Sequence, residues 1–469
     1  YICRGQMMSP ASNNQEDIMS KSNHSSSGRS HASVFDLNGV PGFGQALPLA
    51  LQHVVAAIVG CVTPAIIVAG VAQVSDRDRV ILIQAALIAS ALSTLLQLFP
   101  FVRTQKFQLG ASLPVIMGIS FAYVPSMQAI AESFDIATIL GAQIVGGCVA
   151  LLVGIFIRKI RVLFPPLVTG TVVFTIGLSL YPTAINYMAG GTSNPDYGSW
   201  KNWLAALFTL VVVVGLNHFA KGTLKLASIL VGIIAGYAFA ACLGLVDLSG
   251  ISSAGVFQAP LPLHFGVKFE PSACIAIGLL FAINSIQAIG DFSATTVGSM
   301  NREPQNKELQ GGILMYGITN ILCALIGGLP TATYSQNVGI VTTTKVVNRC
   351  VLGLAAVIML IAGFFPKFSA LLTTIPQCVL GGATISVFAS IAMTGIKLIM
   401  RQEMTFRNSS IVGLSVALGM GISQTPASLT AFPEWVTMIF GKSPVVVATL
   451  AAILLNVILP KDKPAGNRN

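Results

Sequence analysis

Apolar residues occur along this chain in long blocks, not at alternating intervals. From residue 44 onward, stretches of Ala, Gly, Ile, Leu and Val are separated by short polar loops. A block of roughly 18 residues or more can cross about 30 Å of hydrocarbon as a helix. Fourteen spans are predicted, near 44–71, 80–99, 111–130, 137–157, 165–181, 203–217, 226–246, 272–290, 311–328, 335–345, 351–365, 377–395, 409–422 and 444–459. The third and tenth, 111–130 and 335–345, are broken by Gly, Pro or polar residues, so a continuous helix is not expected there. The ten-residue alternation of a membrane β-barrel is absent. The pattern therefore predicts an all-α polytopic membrane protein.

Composition agrees with the pattern. The chain is 54% hydrophobic and 9% charged, against about 25% charged residues for a soluble domain. Its net charge of +10 does not point to nucleic acid, because the basic residues are scattered over short loops. Twenty of the 26 Lys and Arg fall in segments assigned to one side by the alternation of spans, and six in the others. The positive-inside rule then predicts that both termini are cytoplasmic; the membrane is expected to be the plasma (inner) membrane. Residues 1–40 run through Ser, Asn, Gln and His and are expected to be a disordered polar tail. Residues 461–469 form a short cytoplasmic tail. The eight Cys sit mostly inside apolar stretches with no CxxC pair, so no metal, disulfide or cofactor is expected.

The spans contain a faint internal echo. Phe164-Pro165-Pro166-Leu167-Val168-Thr169-Gly170 resembles Ile375-Pro376-Gln377-Cys378-Val379-Leu380-Gly381, at the starts of the fifth and twelfth spans. The two interrupted spans are also seven apart. An odd offset implies copies that cross in opposite directions, an inverted repeat of two seven-span units over 41–246 and 247–460. Secondary transporters of this plan bind substrate where broken helices meet near the midplane.

Few ionisable groups remain inside the predicted spans. Of the sixteen acids only Asp291 does, at the inner end of the eighth span, and of the five His only His53 lies deep in a span. A charge in the bilayer costs roughly 2.5–3.5 kcal/mol on insertion scales, so Asp291 is a functional candidate. Its alternative is a helix-end acid reaching loop water. For His53 the alternative is a structural imidazole. Other polar groups gather at Gly110–Phe121, at Asn284–Ser293 and at Thr333–Gly339. Gln287 and Asp291, four apart, share a helix face. Amides suit a flat heterocycle because each presents a donor and an acceptor side by side, and an aromatic ring such as Phe121 could stack on it.

These residues resemble the nucleobase–ascorbate transporter family (nucleobase:cation symporter-2), most closely its bacterial xanthine and urate permeases. Gln336-Asn337-Val338-Gly339-Ile340-Val341-Thr342-Thr343-Thr344-Lys345 is similar to the family signature [Q/E/P]-N-x-G-x-x-x-x-T-[R/K/G] at every defined position. Gln52-His53, Ser120-Phe121 and Gly290-Asp291 look like the family's Q-H pair, its third-span Ser/Thr-Phe and its eighth-span G-D. The resemblance runs from about 44 to 460. It implies fourteen spans in core and gate domains, a homodimer, and proton-driven uptake of a purine nucleobase by an elevator-like movement. It further implies that Phe121 stacks on the base, that Ser335 offers backbone contacts, and that Gln287 and Gln336 read its edge. Asp291 would support proton coupling or the site's hydrogen bonds, with Asn337 and His53 holding the geometry. Two positions depart from the family: Gln287, where it usually has Glu, and Tyr316, where it often has Asp or Asn. Gln287 can exchange hydrogen bonds but cannot titrate.

Two rival functions are open to a chain of this pattern. An anion carrier of the sulfate-permease or bicarbonate type would share the architecture but often adds a soluble regulatory domain. An intramembrane enzyme would need a paired acid, a metal cluster or a nucleophile–base pair, which one Asp and one distant His do not supply. The chain is expected to be a transporter and not an enzyme, with a purine nucleobase, a proton or another cation, and the lipid bilayer as its partners.

Overall fold

The computed structural model describes residues 32–105, 107–157, 165–192, 194–248, 255–433 and 436–460. The predicted tail through residue 31, Phe164 of the internal echo, and residues 461–469 lie outside the described residues. The main helices are α1 (Phe43–Val71), α2 (Asp76–Leu98), α3 (Val124–Ser133), α4 (Ile136–Ile155), α5 (Pro166–Ser179), α6 (Tyr181–Met188), α7 (Trp200–Phe219) and α8 (Ser228–Cys242). They continue with α9 (Pro271–Met300), α10 (Asn306–Leu325), α11 (Ser335–Thr344), α12 (Arg349–Gly363), α13 (Pro366–Thr373), α14 (Gln377–Ile399), α15 (Phe406–Gln424) and α16 (Pro444–Ile458). Among the described residues, seven helical segments are long and apolar enough to cross a membrane. The number is eight if α12 and α13, bent by 85° at their junction, form one span. This is a helical, multi-pass membrane protein.

The helices sort into two packed groups. In one, α4 lies against α9 and α10, and α2 lies against α1 and α12. In the other, α14 lies along α5, α6 and α7, with α8 on α7 and α16 on α5 and α15. Apolar surface gains little by leaving lipid for another apolar surface, so small residues that admit close backbone approach hold such seams. Between α5 and α14, a Cβ on Gly395 would lie 2.3 Å from the backbone nitrogen of Phe174, and one on Gly177 would lie 2.5 Å from that of Ala392. Between α4 and α10, a Cβ on Gly147 would lie 2.9 Å from the carbonyl oxygen of Gly317, and one on Gly317 would lie 2.7 Å from that of Gly147. Replacing Gly395 with Val should therefore force α5 and α14 apart and destabilise the protein by about 1–3 kcal/mol. Thermal unfolding of the detergent-purified variant checks this, and an unchanged midpoint would mean that the seam has slack.

Two short extended segments interrupt the first group. β3 (Met117–Ile119) pairs antiparallel with β4 (Thr331–Thr333), in the register Met117 to Thr333, Gly118 to Ala332 and Ile119 to Thr331. Ser120 N–H to Pro330 O (3.0 Å) and Tyr334 N–H to Ile116 O (2.9 Å) extend this ladder at either end. All six strand residues are buried. Extended backbone at such depth must find every partner inside the protein. Side chains of the long helices supply the rest: Thr94 Oγ1 accepts from Met117 N–H at 2.9 Å, and Asn320 Oδ1 accepts from Thr331 N–H at 2.8 Å. A smaller ribbon, β1 (Val102–Arg103) with β2 (Gln108–Leu109), turns the chain after α2.

Two expectations need correction. The apolar block was expected to end near residue 290 with Asp291 at a helix end, but α9 continues to Met300 and buries Asp291 well inside it. The polar residues that follow do not break the helix, because their hydroxyls bond back to its own carbonyls: Thr295 to Asp291 O at 2.9 Å and Thr296 to Phe292 O at 3.1 Å. Residues 32–40, expected within a disordered tail, form a turn closed by Ala32 N–H to Val40 O at 3.2 Å. Asn348 anchors that turn. Its backbone N–H donates to Val34 O at 3.2 Å and its amide donates to Asp36 O at 2.9 Å.

Candidate functional site

Each strand of the β3–β4 pair runs directly into a helix start. After β3 the chain passes through Ser120, whose Oγ accepts from Ala122 N–H at 3.3 Å, and a short 3-10 turn, Phe121–Tyr123, before α3 begins. After β4 it passes through Tyr334 into α11, whose first residue is Ser335. Tyr334 locks the crossing: its ring lies over Gly118, where a Cβ would come within 2.4 Å of it, and its hydroxyl donates to Ile119 O at 2.8 Å. Only glycine fits at position 118.

A cavity of about 210 Å³ opens where this crossing meets the second helix group. Phe121, Gln287, Ser335 and Gln336, all singled out from sequence, line it from the first group. Val173 and Ile176 of α5 and Ser390, Ile391 and Thr394 of α14 form the opposite wall. The Phe121 and Phe388 rings meet at 74° with their centroids 5.2 Å apart. Gln336 is exposed to this space and Gln287 is half-buried at its edge. No lining residue carries a charge.

The other candidates stand behind this lining. Asp291 accepts from Ser335 Oγ at 2.9 Å through one carboxylate oxygen and from Thr333 Oγ1 at 2.5 Å through the other. Asp291 thus ties α9 to both the end of β4 and the start of α11. Asn337 donates its amide to His53 Nδ1 at 3.0 Å and to His53 O at 3.2 Å, fastening α11 to α1. Both residues are fully buried, and the Asn337 Oδ1 has no hydrogen-bond partner among the described residues. Tyr316 lies farther back, its hydroxyl bonded to that of Tyr123 and its ring 5.4 Å from Phe281.

Sequence reasoning missed the α5 and α14 wall. Its polar members give no outward signal: Ser390 Oγ donates to Ser386 O at 2.9 Å and Thr394 Oγ1 to Ser390 O at 2.8 Å. Hydroxyls bonded back in this way are ordinary in a membrane helix.

Comparison with known proteins fits this geometry. A protein-family model described as a permease family (Xan_ur_permease) matches residues 44–428. The xanthine permease XanQ of Escherichia coli K12 is 32% identical, over 91% of this chain and 94% of its own length. The uric acid permease PucJ of Bacillus subtilis is 34% identical, over 88% of this chain and 93% of its own. Among solved structures, the transmembrane domain of a cyanobacterial bicarbonate transporter, BicA, superposes with a TM-score of 0.57 at 16% identity, covering 88% of this chain and 98% of that one. Murine Slc26a9, an anion transporter in the inward-facing state, gives a TM-score of 0.54 at 10% identity, covering 89% and 68%. At such identities the structural likeness concerns the fold alone, whereas the sequence relationship extends over nearly the whole chain. The chain belongs to this permease family, the nucleobase–ascorbate transporters or nucleobase:cation symporter-2 family.

Proposed function

We propose that this protein is a secondary active transporter that takes up a purine nucleobase, xanthine or urate, coupled to protons through an elevator-type movement. The observation that carries this reading is the cavity between the two helix groups. It is uncharged, it has amides on one side and an aromatic face, and its volume is about 210 Å³. That volume is below the roughly 300–1,000 Å³ of sites for drug-sized ligands, and suits a bare base better than a nucleoside. Gln336 and Gln287 offer paired donors and acceptors to the ring edge, Phe121 offers its face, and Ser335 offers backbone at the start of α11. Asn337 and His53 hold α11 in place. Relatives named xanthine and uric acid permeases support the substrate class.

The same reading extends to the architecture. Fourteen spans form two inverted seven-span repeats, with a core domain built on the first helix group and a gate domain on the second. The antiparallel pairing of β3 with β4 supports the inversion, since each copy contributes one strand and the helix that follows. Both termini are cytoplasmic, the membrane is the plasma (inner) membrane and the working unit is a homodimer. Gln287 cannot release a proton, which leaves Asp291, fastened to the site by Thr333 and Ser335, as the coupling group.

An anion carrier is the second reading, because the structural neighbours are anion transporters and helix starts can receive negative charge. Uptake of radiolabelled xanthine into cells expressing the chain separates the two. Unlabelled urate, guanine, uracil, ascorbate and sulfate serve as competitors, with and without a protonophore. Saturable uptake that urate blocks, sulfate does not, and the protonophore abolishes is expected. Competition by sulfate, with none by purines, would reverse the assignment.

A further inference from the structure

A second polar cavity, of about 200 Å³, lies away from the purine site at the end of the molecule where the 32–40 turn docks. It is lined by Arg103 of β1, Arg302 in the loop after α9, Lys307 in the first turn of α10, and Arg349 at the start of α12. Glu308 is the only acid among its lining residues. That carboxylate is already engaged: Arg302 grips both its oxygens, at 2.6 and 2.9 Å, and Gln305 N–H donates to it at 2.8 Å. Three cationic side chains are left over.

Among the described residues, none of the three is paired with a carboxylate. Arg349 spends its donors on neutral acceptors, Leu98 O at 3.0 Å, Ser112 Oγ at 2.8 Å and the Asn38 side chain. Its Nε is buried without a hydrogen-bond partner among the described residues. Arg103 lies within electrostatic reach of Arg349, so like charges face each other across the space. Half-buried Lys307 donates to no carboxylate among the described residues. Guanidinium and ammonium groups gathered in a concave, partly desolvated space bind tetrahedral oxyanions, which accept several charge-assisted hydrogen bonds at once. The cavity would hold about six waters at roughly 30 Å³ each, enough for one phosphate group and its hydration but not for a whole nucleotide.

We propose that this cavity is a binding site for a phosphate group, presented either by a free phosphate or by an anionic lipid headgroup. The four segments around it make its occupancy consequential. Asn38 belongs to the N-terminal turn, Arg103 to the β1–β2 ribbon, Arg302 to the loop that follows the helix carrying Gln287 and Asp291, and Arg349 to the start of α12. An anion bridging them would bind the N-terminal turn to the substrate-carrying helix group and stabilise both.

The test uses the full chain, purified in a zwitterionic detergent. Thermal unfolding is followed while inorganic phosphate is titrated in one arm and phosphatidylglycerol in mixed micelles in the other, with chloride at matched ionic strength as reference. A saturable rise in Tm over the chloride reference is expected in at least one arm. The phosphate arm identifies a free anion; a response confined to the lipid arm identifies a headgroup. The double variant R103A/K307A removes two cations whose side chains hold no hydrogen bond among the described residues, and should raise the half-saturating concentration about tenfold or more while xanthine binding stays unchanged. R103Q alone, which keeps the side chain's bulk, should give a smaller shift in the same direction and serves if the double variant does not fold. No saturable response in either arm, or the same half-saturation in wild type and variant, would overturn the proposal.

Discussion

Replacing Asp291 with Asn is expected to collapse concentrative purine uptake while leaving purine binding within about threefold of wild type. The geometry separates the two effects. Among the described residues, the Asp291 carboxylate touches the site through the hydroxyls of Thr333 and Ser335, and it does not line the cavity. An Asn side chain can keep both contacts: its oxygen still accepts from Ser335, while its NH₂ donates to a rotated Thr333 hydroxyl. What disappears is the ability to carry a proton. One proton moving down a membrane potential of about 100 mV is worth about 2.3 kcal/mol, roughly a fifty-fold accumulation of substrate. The variant should therefore equilibrate xanthine across the membrane without concentrating it, and lose its sensitivity to a protonophore. Uptake into energised vesicles, measured beside equilibrium binding to the purified protein, distinguishes the outcomes. Full accumulation by the variant would place coupling elsewhere, and a parallel loss of binding would make Asp291 a structural brace.

That separation depends on features legible in the sequence to different degrees. Polar clusters inside apolar spans are conspicuous, the family resemblance points to Phe121, Gln287, Ser335 and Gln336 within them, and all four line one cavity. The depth of Asp291 was misread for a related reason. A run such as Ser293-Ala294-Thr295-Thr296 looks like a loop in a hydropathy profile, although short hydroxyl side chains satisfy themselves on the preceding helical turn. The cavity's far wall was invisible. Val173, Ile176 and Ile391 are indistinguishable from lipid-facing residues until α5 and α14 are placed against the β3–β4 crossing. The docking of residues 32–40 was hidden as well, because it rests on hydrogen bonds from Asn348 and Arg349, more than three hundred positions away, and not on an apolar face with a period. Periodicity reports burial of side chains; it carries no record of which distant backbone a polar group will meet.

The Gln336→Ala variant should bind xanthine about 5- to 150-fold more weakly than wild type, with its unfolding midpoint unchanged. A purine edge that loses its amide partner in a closed site keeps an unmatched polar group, which costs about 1–3 kcal/mol. Gln336 is well placed for a clean test, since it is exposed to the cavity and its removal leaves no gap in a packed core. Asn337 beside it would not serve, because its amide holds His53 and its loss would disturb α1 and α11 together. Gln336→Glu sharpens the interpretation. An ionised carboxylate accepts hydrogen bonds but donates none, so bases that present N–H groups to this edge should be retained and those that present a carbonyl should lose affinity. The ranking of xanthine, urate, guanine and uracil as competitors should therefore change with Glu, whereas Ala should weaken every purine. Equal affinities for all four bases in wild type, Ala and Glu forms would remove Gln336 from the recognition edge and leave Gln287 to read it.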